Sequence, residues 1–331
     1  MHDDASRADP ALPPAKPRAS GPLWRRLLPI AVAVGLVAFV LARIKWEAFW
    51  AELGRVHYAA FLGFVALFLC ALLAADTLAT RFIYRRTIGK VRYHELFLVR
   101  GASYLPSMLN HHVGQAWLTY FLSRVYGAPL GRVAGATLAV YATWGGCMLL
   151  LGAAGMYTAG LDIKLVLLPL VAGVGYLVLL QLRPKRLTRI SVLAPLFELG
   201  IGGHFVAMLL RLPHMCVLFL GTWLPFWFFH VEVPLGPALT YVPILMVAVT
   251  LPVTPLGIGT RDALAQQFFA GFVVGAAGSE EQLAIVAAST TTTAVAIILV
   301  NAVMGVVLLA GASRLLPAEL RKAGAAKAEP R

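Results

Sequence analysis

The sequence predicts an all-α polytopic membrane protein with about eight transmembrane helices. A re-entrant or interfacial hairpin is expected in its first half and a broken helix in its second. Three observations predict this class. Hydrophobic residues make up 60% of the 331 and charged residues 13%, against roughly 45–50% and 25% in a soluble domain. The mean hydropathy is +0.79, and the apolar residues gather in runs near the ~20 needed to cross hydrocarbon. Outside two polar tails, no stretch is long enough to build a soluble core, which leaves no room for a separate soluble catalytic domain.

Residues 1–22 are rich in Pro, Ala and charge and read as a disordered cytoplasmic tail. LLPIAVAVGLVAFVLA (27–42) follows Arg25 and Arg26. No small-x-small cleavage site comes after it, so it reads as a retained first span and not a signal peptide. Span two runs from about Tyr58 to Thr80 and is followed by Arg81, Arg85, Arg86, Lys90 and Arg92. Spans three and four cover about Val133–Tyr157 and Leu165–Leu182, before the basic loop RPKRLTR (183–189). Residues 191–204 are short, Gly-broken and partly polar, and read as an interfacial elbow. Span five covers about Phe205–Phe229, with Arg211 and Pro213 disturbing its start. Spans six, seven and eight cover about Leu235–Leu251, Ala263–Ala277 and Gln282–Ala312. The membrane domain is therefore 23–313, followed by a basic cytoplasmic tail, 314–331.

The net charge of +13 is carried by Lys and Arg in short loops and tails, as the positive-inside rule expects. It points to anionic membrane lipids as partners and not to nucleic acid; protein partners cannot be read from it. With the N-terminal tail in the cytoplasm, the basic clusters at 81–92, 183–189 and 314–331 all fall inside. Trp46, Trp50, Trp223 and Trp227 then suit the outer aromatic belt. The expected location is a bacterial plasma membrane with both termini cytoplasmic. Residues 93–124 then begin and end on the cytoplasmic side, so they form a re-entrant hairpin or an interfacial helix pair. Cys70, Cys147 and Cys216 lie in apolar runs without a C-x-x-C pair, and imply neither a metal site nor a disulfide framework. No cofactor is implied.

Two segments break the apolar pattern in corresponding ways. LPSMLNHHVGQ (105–115) and LPVTPLGIGTRD (251–262) both begin Leu-Pro, reach a glycine (Gly114, Gly259), and then return to an apolar helix through a polar group. Proline removes a backbone donor and glycine permits bends. Freed backbone groups and half-helix ends can hold ions. Matching breaks in two halves point to a substrate site at a repeat interface, although Gly and Pro are also common as packing kinks. The topology above places both segments on the cytoplasmic side.

The second segment resembles the signature of the lysylphosphatidylglycerol synthase transmembrane-region family, the flippase-like membrane proteins. Leu251, Pro252, Gly257, Gly259 and Arg261 match. Pro255 and Leu256 stand where a further glycine is usual, and Asp262 replaces a glutamate. In the first half Pro106, Gly114, Arg124 and Gly127 match, while Gln115 replaces the family's glutamate and the arginine usual after it is absent. The spacer is longer and holds His111 and His112, and the acidic–basic pair of the following span is not evident around Tyr141. The resemblance covers roughly residues 25–312. It implies translocation of a lipid or lipid-linked group between leaflets. The soluble aminoacyl-transferase domain of the best-known members is absent from this sequence, so synthase activity is not implied.

The candidate substrate-binding residues are Arg261, Asp262, Gly257, Gly259, Pro252, His111, His112, Gln115 and Arg100. Arg261 and Asp262 either anchor a cytoplasmic boundary or bind a lipid phosphate. In the second case the guanidinium would match phosphate oxygens bidentately, Asp262 would orient it or cap a helix, and the glycines would let backbone amides approach. His111 and His112 would point about 100° apart on a helix, which disfavours a shared metal. They form a satisfied polar pair, or contact phosphate, or gate with pH. Asn110 and Gln115 could supply neutral donors beside them. Arg100 would be functional if buried, or would snorkel from a shallow hairpin. Asp76 is expected to pair with a nearby arginine. The run STTTT (289–293) is expected to bond back to its own helix, and Glu198 and His204 to be interfacial.

No residue is assigned a catalytic role, and no nucleotide-binding G-x-x-x-x-G-K-[ST] motif is present. The favoured function is translocation or binding of a lipid-linked anionic headgroup, either passive or driven by a gradient. The alternatives are a membrane-embedded enzyme acting on a lipid phosphate through His111, His112 and Asp262, and a non-catalytic partner in a cell-envelope biosynthetic complex.

Overall fold

The computed structural model describes residues 45–250 and 260–316, apart from the side chains of Leu109 and Thr250. The expected tails at 1–22 and beyond Leu316, the first span at 27–42, and Pro252, Gly257 and Gly259 lie outside the described residues. The fold is all-α; the only β pairing among the described residues is an isolated bridge between Val231 and Val273.

The short helix α1 (Trp46–Arg55) precedes α2 (Tyr58–Thr87). At 30 residues α2 is about 45 Å long. A hairpin of three short helices follows: α3 (Tyr93–Ala102), α4 (Tyr104–Leu109) and α5 (His111–Tyr126). The long helix α6 (Leu130–Thr158) and then α7 (Ile163–Leu182) complete the first half. The second half begins with α8 (Ala194–Leu210), which passes through a break at Arg211 into α9 (Leu212–Trp223) and a 3-10 extension, Leu224–Phe229. It ends with α10 (Leu235–Thr250), α11 (Thr260–Phe269) and α12 (Ser279–Ala312). Among the described residues, five helical stretches are long and apolar enough to cross a membrane: 58–87, 130–158, 163–182, 212–229 and 279–315. Leu67, Leu168, Val171 and Leu182 are among the large apolar side chains on their outside. Hydrocarbon accepts such a surface, and each helix keeps its backbone bonds internal.

The bundle has two distinguishable ends. At the basic end lie the end of α2, the start of α3, the end of α5 and the start of α8. Here Arg132 clamps Glu198 with two bonds of 2.9 and 2.6 Å and also donates to the carbonyl of Thr87. Tyr126 donates to Glu95 at 2.8 Å, tying the last turn of α5 to the first of α3. At the opposite end His230 bonds Glu52 at 2.8 Å and Trp223 donates to the carbonyl of Val233 at 2.9 Å. Trp46, Trp50 and Trp227 are exposed at that end.

The hairpin expected over 93–124 is present: α3 leaves the basic end and α5 returns to it. Its turn is set by Asn110, whose side chain accepts from the backbone N–H of His112 at 2.8 Å and caps α5. The side-chain carbonyl oxygen of Asn110 makes the cap, which leaves the amide NH2 as a donor. The hairpin lies along α12, with Leu98 against Gly311, Leu308 against Gly101 and Leu105 against Gly305. At each contact the missing Cβ is what lets the helices approach.

Two expectations are corrected. Residues 191–204 do bend at a glycine, as the Gly-broken pattern suggested, but they are packed on α6, α2 and α7 as part of the bundle: two helices meet at Gly200 within α8. Gly200 makes the bend, with φ 63° and ψ 175°, a conformation open to glycine. His204 is buried there, accepting or donating with Tyr176 at 2.8 Å and bonding the carbonyl of Gly200 at 2.7 Å. The second correction concerns spans six and seven. Helix α11 has ten residues, about 15 Å, and is too short to cross. It lies antiparallel to α10, with Phe268 stacked on Tyr241 at 4.7 Å. Its far end joins the opposite end of the bundle, where Glu232 donates to Phe272 and Val274 to His230, both at 2.9 Å. The pair α10–α11 is thus a second hairpin, inserted from the end opposite to the first. The first half thus reads span, hairpin, span, span, the second α8, span, hairpin, span, and the two hairpins enter from opposite ends.

The buried apolar residues fall into two clusters, one toward each end. On α2 the first holds Phe61, Val65, Phe68 and Leu69, and the second holds Ile83 and Tyr84. On α6 they are Cys147 and Met148, against Val133 to Val140. Between them lies a polar level.

Candidate functional site

Asp76 is the only acidic residue in α2 and lies at that level, between the two clusters. Its Oδ2 accepts from Arg100 Nε at 2.8 Å, and its Oδ1 from Arg211 Nη1 at 2.8 Å. His214 Nδ1 stands 4.0 Å from the same Oδ1 and donates to the carbonyl of Leu72 at 3.4 Å. Three elements supply the group: α2 the carboxylate, the first hairpin Arg100, and the α8–α9 break Arg211 and His214. The break follows from Pro213, which has no N–H to donate. Asp76 is 4% exposed and Arg211 1%. One carboxylate serves two guanidiniums, so the cluster carries an excess positive charge inside the bundle. Ionised groups at such a depth are costly unless paired, and they mark functional positions by default.

Arg100 extends the cluster outward. It does not snorkel: Nε holds Asp76 while Nη1 donates to Gln115 Oε1 at 3.1 Å. In this contact Gln115 accepts through Oε1, and its amide NH2 remains a donor. The side chain also lines an open groove of about 360 Å³ between α5 and α6, with Ala116, Thr119, Tyr120, Leu138 and Tyr141 among its walls. Thr119 and Thr137 bond each other at 3.1 Å, and Thr137 bonds the buried Tyr84 hydroxyl at 2.9 Å. His111 reaches Tyr141 at 2.6 Å, joining α5 to α6 at the turn of the hairpin. The His112 side chain is exposed, and the two imidazoles are 5.9 Å apart. Among the described residues no group of three or more His, Cys, Asp or Glu is disposed to hold a metal ion.

Arg261 and Asp262 occupy the first turn of α11, on the other hairpin. Arg261 Nη2 donates to the carbonyl of Thr290 at 2.8 Å and lies 3.3 Å from Asp262 Oδ1. They are not at a bundle end, contrary to the expected boundary position. Thr290 is eleven residues into α12 from the end opposite the basic one, about 17 Å deep. Along α12, Thr290 and the first hairpin's contact at Gly305 are separated by about 22 Å. The structure thus joins Arg100, Gln115 and the surroundings of His111 into one group, and places Arg261 with Asp262 in a second. Thr290 bonds back to Ala287 at 3.2 Å, as expected of the threonine run, whereas the buried Thr293 hydroxyl has no partner among the described residues.

Arg211 and Asp76 are the residues that sequence reasoning missed as site residues. The signal was available. Arg211 interrupts an apolar stretch, Asp76 is alone in another, and such charges inside membrane helices seek each other.

A family model described as the lysylphosphatidylglycerol synthase TM region matches residues 26–303. No curated protein and no solved structure matches the chain. The match covers most of the 331 residues, and the chain belongs to that family of integral membrane proteins.

Proposed function

We propose that this member of the lysylphosphatidylglycerol synthase TM-region family binds an anionic lipid headgroup within the bilayer and passes it between leaflets. The observation that carries this reading is the line Asp76–Arg100–Gln115, which connects a buried, positively charged level to a groove open on the bundle's side. A headgroup entering between α5 and α6 would cross a mainly apolar groove whose polar lining includes Gln115, Thr119 and Thr137. Its negative charge would then be favoured by the excess cation behind them, while its acyl chains stay in lipid. The inverted hairpins also support the reading, since opposed broken segments are a common frame for moving a substrate from either side. The basic end faces the cytoplasm on this reading, by the positive-inside rule. Arg261 would serve the second hairpin as an anchor to α12.

The test is reconstitution of the purified protein in liposomes with a headgroup-labelled anionic phospholipid, followed by a membrane-impermeant quencher. The expected result is faster loss of protection than in protein-free vesicles. No acceleration across several lipid classes would end the reading. Chemical conversion of the lipid would replace it with an enzymatic one.

A further inference from the structure

We infer that Arg211 is an oxyanion-binding residue in the membrane interior, holding two oxygens of a phosphate or phosphodiester on its Nε–Nη2 edge. The guanidinium is 1% exposed and reaches Asp76 through Nη1 alone. Nε and Nη2 are both buried and have no hydrogen-bond partner among the described residues. These two nitrogens form one face of the guanidinium fork, with parallel N–H bonds that match two oxygens of one phosphate. Buried donors left without acceptors are unfavourable, and here both belong to a single bidentate edge.

A purely structural role explains this poorly. Asp76 already has a full partner in Arg100 at 2.8 Å. An arginine serving only as its second counter-ion would turn its fork to the carboxylate and would not bring surplus charge with it. Two further features suit a ligand. The Thr80 hydroxyl, one turn along α2 from Asp76, is also buried without a partner among the described residues. Leu210, the neighbour of Arg211, helps line a groove of about 440 Å³ with Leu78, Phe82, Arg81, Arg85 and Arg86, while Arg211 itself lies buried behind that wall. Arginines at its rim attract the anion, and apolar walls suit an acyl chain. This groove lies between α2 and the end of α8, away from the one lined by Gln115. The inference deepens the proposed function by naming a second contact for the headgroup, but binding at Arg211 is independent of transport.

The experiment is thermal unfolding of the purified full-length protein in maltoside micelles. The probes are inorganic phosphate, short-chain phosphatidylglycerol, and chloride at matched ionic strength. Phosphate or phosphatidylglycerol is expected to raise the unfolding temperature, and chloride is not. A rise with phosphatidylglycerol alone identifies a lipid source, and a rise with both identifies the free oxyanion as sufficient. R211K keeps the charge facing Asp76 but loses the fork, and should need about ten- to a hundredfold more probe for the same rise. K164Q, an exposed position on the first turn of α7 away from this groove, should change the response much less. Chloride acting like phosphate, or R211K responding like the parent protein, would overturn the inference. If R211K fails to fold, the chloride comparison on the unaltered protein still decides. Lipid movement that persists unchanged in R211K would leave the transport reading standing and remove Arg211 from it.

Discussion

Asp76 and Arg211 meet at 2.8 Å across 135 positions of sequence, both buried. The bond fastens the α8–α9 break to the middle of α2, and Arg100 fastens the first hairpin to the same carboxylate. Asp76→Asn would leave two guanidiniums buried without a counter-charge. The expected cost is about 3–5 kcal/mol, read from denaturant or thermal unfolding in detergent. Adding Arg211→Met should recover part of it, because the second charge no longer needs a partner. Strictly additive losses would show that the two side chains do not act as one unit.

Gln115 stands where the family's usual residue is acidic, and here its carbonyl oxygen accepts from Arg100. Gln115→Glu adds a carboxylate at that point and balances the cluster, two carboxylates to two guanidiniums. The variant should unfold at a higher temperature than the parent and should move an anionic lipid more slowly. A parallel rise in transport would contradict the role given to the surplus charge.

The first hairpin depends on close approach at one glycine. A Cβ on Gly114 would collide with Ser107 Oγ and lie 2.9 Å from the Ser107 Cα. Backbone cannot give way as a side-chain tip can, so Gly114→Ala should cost about 1–3 kcal/mol and separate α4 from α5. Gly145→Ala, in α6 with nothing within 4 Å of the added carbon, should be neutral or slightly stabilising. Comparing the two melting curves separates a packing effect from a general intolerance of glycine replacement.

Arg261 ties the second hairpin to α12 through the Thr290 carbonyl. Arg261→Ala removes that tie and should lower stability by about 1–3 kcal/mol. Faster amide exchange in α11 should accompany the loss. Arg314→Ala, in the 3-10 turn that ends the described chain, should leave both unchanged. Equal effects would mean that Arg261 is an ordinary boundary cation after all.

The fold class was legible because bilayer thickness and backbone satisfaction leave few choices for runs this apolar. The first hairpin was legible from charge alone: basic residues flank 93–124 on both sides, so the segment must return to the side it left. The second hairpin carries no such marker. Glu280 and Glu281 lie in the first turn of α12, but no basic residue stands between Asp262 and Arg314 to contradict a crossing, and hydropathy does not reveal that ten residues turn back. Arg100 and Gln115 were legible as polar groups on a broken segment. Their contact was not, because it depends on α3 and α5 lying side by side. Arg211 was set aside as a disturbance to span five, since a periodicity reading treats a lone charge as noise and cannot see which distant carboxylate it faces.

The division of the apolar interior into two clusters has a mechanical consequence. Helices α2, α6 and α12 run through the level of Asp76 without a break, while α8 gives way to α9 there and the first hairpin turns back near it. Close-packed apolar side chains resist deformation on either side. At the level between them, cohesion comes from a few directional bonds to one carboxylate. Any bending of the bundle would therefore be expected to concentrate at that level, in the three continuous helices, with the two apolar ends staying stiffer. The charge that would hold a ligand lies at that same level, so a bound group would sit where the two stiff ends meet.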